Sequence, residues 1–512
     1  MPPLDITPTR RFTRRQFLRD SAATAAVTLA NPFGFLHTKL LANQVLCGTR
    51  GPSPYGPLVP AKDKATGLYL IMLPPGFTYT TLSWAGDTLD DGNSVPKGHD
   101  GMAVLDIRGR GSAAEYLLIR NHEIFGLGKP IAPAYNYDSQ GPGGTVVLRI
   151  SNGRLLEHVV SLSGTSGNCA GGLTPWGTWL TCEERIITGG EPHGYVFEST
   201  PSRVTTPIPL PQLGRFSHEA VAVDPRTGGI YLTEDNSSNN ITLESRSRMR
   251  GNSGFYYFAP DDKLGGLGSL NKGGTLYMLQ AFMPGTDTVV QDLRNPECLS
   301  EYDVKWVEIT EPDADPTDGM SGPYIEGRES GATRFQRCEG CWWDSREDRV
   351  VFVDTEAGPV SAQSGHNDRA EGAVWAYDPR KACLTNLFVS RGAEMPSVYG
   401  SDNPDNISVS PQGGIILCED GGQDDGNGLA LLGLLPNGQT FEFARNIVEI
   451  DKGDKVALSD AGHNLDIIGT GNYSGREWAG ATFSPDGRWL FANIQTPGIT
   501  FSITGPWSKG PF

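Results

Sequence analysis

Ser217-His218-Glu219-Ala220-Val221-Ala222-Val223-Asp224-Pro225-Arg226-Thr227-Gly228-Gly229-Ile230-Tyr231-Leu232-Thr233-Glu234-Asp235 is the stretch on which the fold turns. A polar opening leads into the apolar run Ala220 to Val223, a turn of Asp, Pro and Gly residues, a second apolar run Ile230 to Thr233, and an acidic close. Two short apolar runs around such a turn read as an antiparallel β-hairpin. The opening and the close then lie side by side at the end away from the turn.

The pattern recurs along the chain. Asp405-Asn406 opens a copy that turns at Ser410 to Gly413 and closes at Glu419-Asp420, and Glu477-Trp478 opens one that turns at Ser484-Pro485-Asp486-Gly487 and closes at Asn493. Cys169 pairs in the same way with Glu183, Glu339 with Asp354, and, more loosely, Asp100 with Asn121-His122-Glu123. Third strands such as Gly144 to Ile150, Gly254 to Phe258 and Ala373 to Tyr377 follow several copies. Six small antiparallel sheets in sequence predict an all-β fold, a six-bladed β-propeller whose innermost strands line a channel and whose strand ends gather at one mouth. With no linker-like break between copies, residues 43–512 are expected to form one domain, and 261–334, longer than a blade needs, an insertion on its rim.

The chain has 512 residues, 42 Lys+Arg against 59 Asp+Glu and a formal charge of −17, which excludes a general nucleic-acid-binding surface. Gly 65 and Pro 37 with a hydrophobic share of 38% fit many turns around a real core rather than disorder. Thr13-Arg14-Arg15-Gln16-Phe17-Leu18-Arg19 followed by the weakly apolar Ser21 to Ala30 reads as a twin-arginine export signal within residues 1–42. That run is too short and weak for a membrane anchor. A periplasmic or extracellular location and a transient encounter with the twin-arginine export machinery are expected. The eight cysteines are too sparse for a disulfide scaffold. Cys338 and Cys341 are read as either a disulfide or two free thiols, and Leu46 before Cys47 argues against a lipoprotein site.

Aspartates 224, 344 and 486 sit beside Gly or Pro in the hairpin loops or within them and serve as turn residues. The glutamates do not. Glu123, Glu183, Glu184, Glu219, Glu234, Glu339, Glu419 and Glu477 all lie at the far hairpin ends. Carboxylates gathered so densely require cations to ionise together, so these residues, with Asp354, Asp405 and amide oxygens such as Asn168, are expected to form a metal centre. Oxygen-rich donors suit Ca2+. Cys169 occupies the place that Glu219 and Glu339 take in their copies, and a thiolate there favours a transition metal such as iron, the alternative being an inert buried thiol. Arg337 points along the strand of Glu339 and is read either as a phosphate contact or as a partner of the crowded carboxylates.

Asn121-His122-Glu123, the run Asn168-Cys169-Ala170-Gly171-Gly172-Leu173-Thr174-Pro175-Trp176-Gly177-Thr178, Cys182-Glu183-Glu184, Gly214-Arg215-Phe216-Ser217-His218-Glu219-Ala220, Arg337 with Glu339-Gly340, Asp402-Asn403-Pro404-Asp405-Asn406, and Phe483-Ser484-Pro485-Asp486-Gly487 resemble the PhoX-type alkaline phosphatase family over roughly Ala65 to Pro506. The resemblance implies a six-bladed propeller exported by the twin-arginine route that hydrolyses phosphate esters with Fe3+ and Ca2+. It makes Cys169, Glu219 and Glu339 iron ligands, gives calcium to outer carboxylates including Glu123, Glu184, Glu234 and Glu419, and gives phosphate to Arg337. One departure is that the family places a phosphate-contacting lysine before the Asn-Cys motif, whereas this chain has no Lys or Arg between Arg154 and Arg185. The other functions compatible with the residues are a calcium-dependent propeller lactonase or esterase and a non-catalytic propeller.

Overall fold

A computed structural model describes residues 46–201, 205–236, 251–263, 265–359, 370–392, 400–422 and 428–512. Residues 1–42, read as the export signal, lie outside that set. The described residues are almost entirely strands and turns, with two α-helices, Gly322–Glu329 and Lys452–Asp460.

Each hairpin read from the sequence begins an antiparallel meander. The first is His99–Arg108, Glu115–His122, Gly143–Ser151 and Arg154–Thr165; the second is Asn168–Leu173, Trp179–Glu183 and Val196–Ser199. The third is His218–Val223, Ile230–Glu234, Phe255–Pro260 and Gly274–Phe282; the fourth is Cys338–Asp344, Arg349–Asp354, Ala373–Asp378 and Cys383–Val389. Strand Glu301–Ile309 pairs with the outer edges of both, fusing them into one ten-stranded sheet. The fifth, Pro404–Val409, Ile415–Glu419, Ala430–Leu434 and Thr440–Asn446, is extended by Tyr69–Leu73 and Val59–Lys62. The sixth, Trp478–Phe483, Leu490–Ile494 and Ile499–Thr504, is completed by Thr78–Trp84. Stretch 261–334, expected on the rim, therefore supplies the third meander's outer strand and the bridging strand as well as a helix.

The opening strands of consecutive meanders pack against one another, and the sixth packs back onto the first, so they close a ring. The hydrophobic core is divided accordingly. Trp179 with Ile119 and Val147 fills the space between the first and second meanders, Leu180 and Val196 with Leu232 and Tyr256 that between the second and third, and Phe255 with Phe352 that between the third and fourth. Val353 and Val374 with Leu417 and Leu432, Leu431 and Phe441 with Trp478 and Phe501, and Phe491 with Met102 and Leu118 complete the set. Radially arranged sheets that bury both faces against neighbours are a propeller-like arrangement. Asp224, Asp344 and Asp486 do serve the turns, each accepting a nearby backbone N–H.

Cys47 and Cys298 form a disulfide that ties residues 251 positions apart. Cys338 and Cys341 are both free thiols.

Candidate metal centre

The six opening strands share an irregularity that falls on the residues singled out above. Register with the second strand slips between Asn168 and Gly171, His218 and Val221, Cys338 and Cys341, Pro404 and Ile407, His99 and Met102, and Ala479 and Thr482. Each slip is a β-bulge, which places an extra residue in one strand and re-aims a side chain. The bulged pairs are Cys169-Ala170, Glu219-Ala220, Glu339-Gly340, Asp405-Asn406, Asp100-Gly101 and Gly480-Ala481. Five of the six thus begin with a thiol or carboxylate. The neighbouring strand presses on the second member: a Cβ at Gly101 would lie 2.5 Å from Cα of Ala170, and one at Gly340 2.7 Å from the Ile407 nitrogen. In the sixth meander the first bulged position is Gly480, at φ +58°, where a Cβ would lie 2.3 Å from the Asp100 carbonyl oxygen.

Donor atoms of Cys169, Glu184 and Glu219 lie within 4.8 Å of one another, and so do those of Glu219, Glu339 and Asp405, so Glu219 belongs to both groups. Glu184 follows the second strand of its meander directly, and Glu123, Asp235 and Asp420 hold the same place in theirs. Glu184 shares hydrogen bonds with Glu123 and Asp235. Asp100 faces Asp405 and Glu184, and Glu477, just before the sixth opening strand, faces Asp420 and Asp100. Below this cluster the ring axis narrows to a void of about 10 Å3 lined by Gly101, Ala170, Ala220, Gly340, Asn406 and Gly480. Farther along, at the turn end, a separate apolar cavity of about 340 Å3 is lined by Val104, Leu173, Val221, Trp342, Val409 and Phe483.

Burial, followed by mutual repulsion, sets the protonation of the cluster. It pushes Glu219 well above the usual carboxylate range, with Asp405 and Glu339 adding to the effect. Asp100, Glu123, Glu184, Glu339 and Glu477 are raised for the same two reasons. Asp405 rises to about 6, burial being opposed by the Asn406 hydrogen bond and by Arg337. The Cys169 thiol is pushed up by burial and by Glu219, and it lies 3.2 Å from the carbonyl oxygen of His218 and 3.3 Å from that of Glu219.

These shifts set the pH response of the chelated protein. Folded-state values above unfolded ones mean that the native state binds more protons, so its stability is full below about pH 4 and falls as pH rises through the folded values. Asp405 at about 6 loses its share between about pH 4 and 6, and the cluster members raised farther continue the loss at higher pH. Thermal melts in chelator are expected to give a lower Tm at pH 8 than at pH 5, and added cations are expected to remove most of that difference.

Arg337 is the cluster's cation. Its Nε and Nη2 donate to the two oxygens of Asp235 at 2.7 and 2.5 Å, and Nη2 also lies 2.9 Å from Glu339. Burial alone would lower its pKa, but Asp235 and Glu339 outweigh that and hold it well above the ordinary guanidinium value. Of the two readings left open by the sequence, this structure displays the pairing with carboxylates.

The structure brings Glu123, Cys169, Glu184, Glu219, Glu339 and Asp405 together, with Arg337 beside them. Glu183, Glu234, Asp354, Glu419 and Asn168, also expected at the centre, are turned elsewhere. Glu183 accepts the backbone N–H groups of Ser166 at 2.9 Å and Gly194 at 3.0 Å; Glu419 accepts those of Asp402 at 3.0 Å and Ala430 at 2.8 Å. Glu234 accepts the Ser321 and Tyr256 hydroxyls, each at 2.6 Å, and Asp354 the N–H groups of Gln336 and Arg337. Asn168 bonds Thr165 and Thr181. The reason is strand alternation. The last residue of the second strand pairs with the residue before the bulge and faces away from the axis, so the next residue is the one that faces in. Asp235 and Asp420, which the sequence did not single out from their neighbours Glu234 and Glu419, are those next residues. Asp100 and Glu477 were visible as hairpin openings.

A family model described as Alkaline phosphatase PhoX matches residues 53–133 and 131–498. Among solved structures, the chain is similar to Pseudomonas fluorescens PhoX in complex with vanadate, a transition state analogue, with 17% identity, a TM-score of 0.59, and 91% of this chain and 99% of that chain covered. A gluconolactonase from Xanthomonas campestris has 12% identity and a TM-score of 0.37, with 88% of this chain and 98% of that one covered. No curated protein sequence matches the chain.

Proposed function

Because the chain belongs to the PhoX alkaline phosphatase family and is a phosphoester hydrolase, we propose that it cleaves phosphate monoesters with Fe3+ and Ca2+ held by the bulge-borne cluster. The observation that carries this reading is the gathering of Cys169, Glu184, Glu219, Glu339 and Asp405 into two adjoining groups that share Glu219. The donor set fits cations. Oδ1 of Asp100 and Oε1 of Glu219 are buried with no hydrogen-bond partner among the described residues, an arrangement that is costly without a cation. One sulfur among carboxylates suits a ferric ion at Cys169, Glu219 and Glu339, and the all-oxygen set of Glu123, Asp100, Asp235, Asp420 and Glu477 suits calcium.

Bound there, the ions supply Lewis-acid stabilisation of the charge on the phosphoryl oxygens and activation of the attacking oxygen. The chain's own residues do the rest. Arg337 places a guanidinium beside the cluster, where it offsets developing charge on the phosphoryl group. The small residues of the bulges close the floor beneath, so the phosphate enters from the open mouth. Asn121 fixes the Cys169 segment, donating to the Cys169 and Ala170 carbonyl oxygens at 3.1 and 2.7 Å.

The same reading takes the two meanders fused by Glu301–Ile309 as separate blades, giving six in a single domain over residues 43–512, reached through twin-arginine export to the periplasm or beyond. The Cys47–Cys298 disulfide supports an oxidising destination. No described helix is long and apolar enough to cross a membrane.

Metal analysis of the purified protein tests the centre: iron and calcium are expected together. Cys169→Ala is expected to lose the iron, with phosphatase activity falling alongside. Calcium alone in an active wild-type enzyme overturns the iron assignment, and lactone or carboxylic-ester hydrolysis without phosphate-ester hydrolysis overturns the function.

A further inference from the structure

Arginines near the cluster mouth are mostly spoken for. Arg337 is clamped by Asp235 and Glu339, and Arg50 by Glu419 and Glu442. Arg185 differs. It is exposed, forms no ion pair among the described residues, and stands with its guanidinium carbon 4.4 Å from the centre of the Phe125 ring. Its position is fixed by the backbone. Gly167 donates to the Ile124 carbonyl oxygen at 3.0 Å and accepts from the Glu184 N–H at 2.9 Å, tying together the segments that carry Glu123, Cys169 and Glu184. Gly167 adopts φ +59°, and a Cβ there would lie 2.5 Å from the Phe125 ring and 3.4 Å from the Arg185 side chain. The turn is shaped around the stack.

The Phe125 ring holds the Arg185 side chain, which stays exposed. We infer that Arg185 is a specificity-determining residue at the rim, selecting phosphate monoesters whose alcohol part carries a second anionic group; this rests on the phosphatase reading above. The phosphoryl group being cleaved belongs to the buried cluster and Arg337. An exposed, planar guanidinium one residue beyond Glu184 is placed to meet the part of the ester that projects from the mouth, and it suits a carboxylate or second phosphate there.

The test compares 3-phosphoglycerate with glycerol 3-phosphate, which differ by a carboxylate against a neutral hydroxymethyl group. The metal-loaded wild type is expected to prefer 3-phosphoglycerate in kcat/KM, mainly through KM, and to lose that preference as salt is raised. Arg185→Ala should cut the ratio of the two kcat/KM values roughly tenfold, Arg185→Lys should restore part of it, and Phe125→Ala should lower it while keeping the charge. A wild type without the preference, or an Arg185→Ala variant with the ratio intact, overturns the inference even if overall activity has dropped. A metal-loaded wild type that cleaves neither ester and no activated aryl phosphate either overturns the phosphatase reading as well.

Discussion

Glu219→Gln is expected to cost the enzyme at least three orders of magnitude, roughly, in kcat/KM and to deplete both kinds of metal at once, because the charge stabilisation supplied by catalytic metal ions is worth several kcal/mol. The reason is its shared place. Glu219 is the residue common to the group with Cys169 and Glu184 and the group with Glu339 and Asp405. Replacing any other member disturbs one group directly, whereas this change disturbs both. The same variant should behave oppositely without metal. Glu219 is held well above the usual carboxylate range by burial and by Asp405 and Glu339, so the chelated wild type must protonate it on folding at neutral pH, a cost the amide does not carry. The chelated variant should therefore melt above the chelated wild type, while the metal-loaded variant melts below its wild-type counterpart. A variant that keeps full metal content with near-normal kcat/KM defeats the shared-ligand reading.

Arg337→Ala is expected to retain iron and calcium while losing phosphate affinity and rate, with about 2–5 kcal/mol of transition-state stabilisation gone, as for a buried charged contact. Inorganic phosphate should weaken in parallel as a competitive inhibitor. Arg337→Lys should recover little, because the fork that meets Asp235 through two N–H groups cannot be copied by an ammonium. The clamp adds a further expectation. Asp235 occupies two of the guanidinium's donors, so a phosphate must displace it unless Asp235 is drawn to a cation. Phosphate should therefore bind the chelated protein poorly even with Arg337 present. Tight phosphate binding without metal would count against this coupling between Asp235 and Arg337.

Much of this site was legible because its repeat is written locally. Cys169, Glu219, Glu339 and Asp405 stand in the same place relative to their turns, and a hairpin's ends must meet. The second-strand acids at the axis slipped by one residue, since a string such as Glu234-Asp235 offers two acids and only the bulge in the partner strand decides which faces inward. Nothing in the letters around Glu219-Ala220 announces that bulge. The bridging strand Glu301–Ile309 was missed for another reason. It buries only Val304 and Ile309, carries four charged residues, and has no turn that marks a partner. The pairing of Cys47 with Cys298, and of Thr78–Trp84 with Ile499–Thr504, joins segments too distant for any local pattern to register.

That last pairing bears on timing during synthesis. The fifth and sixth meanders are each finished by strands from the beginning of the chain, Tyr69–Leu73 and Thr78–Trp84. Those strands wait on the ribosome for partners that are made last, and the ring of opening strands has a gap until Trp478–Phe483 emerges. Asp100 and Glu477 then meet across that closing seam. A nascent chain can fold individual meanders as they appear, but contacts of such sequence separation form late. The complete acidic cluster is consequently a property of the released polypeptide, and a truncated translation product, however well its early meanders fold, presents an open arc of acids rather than a closed ring.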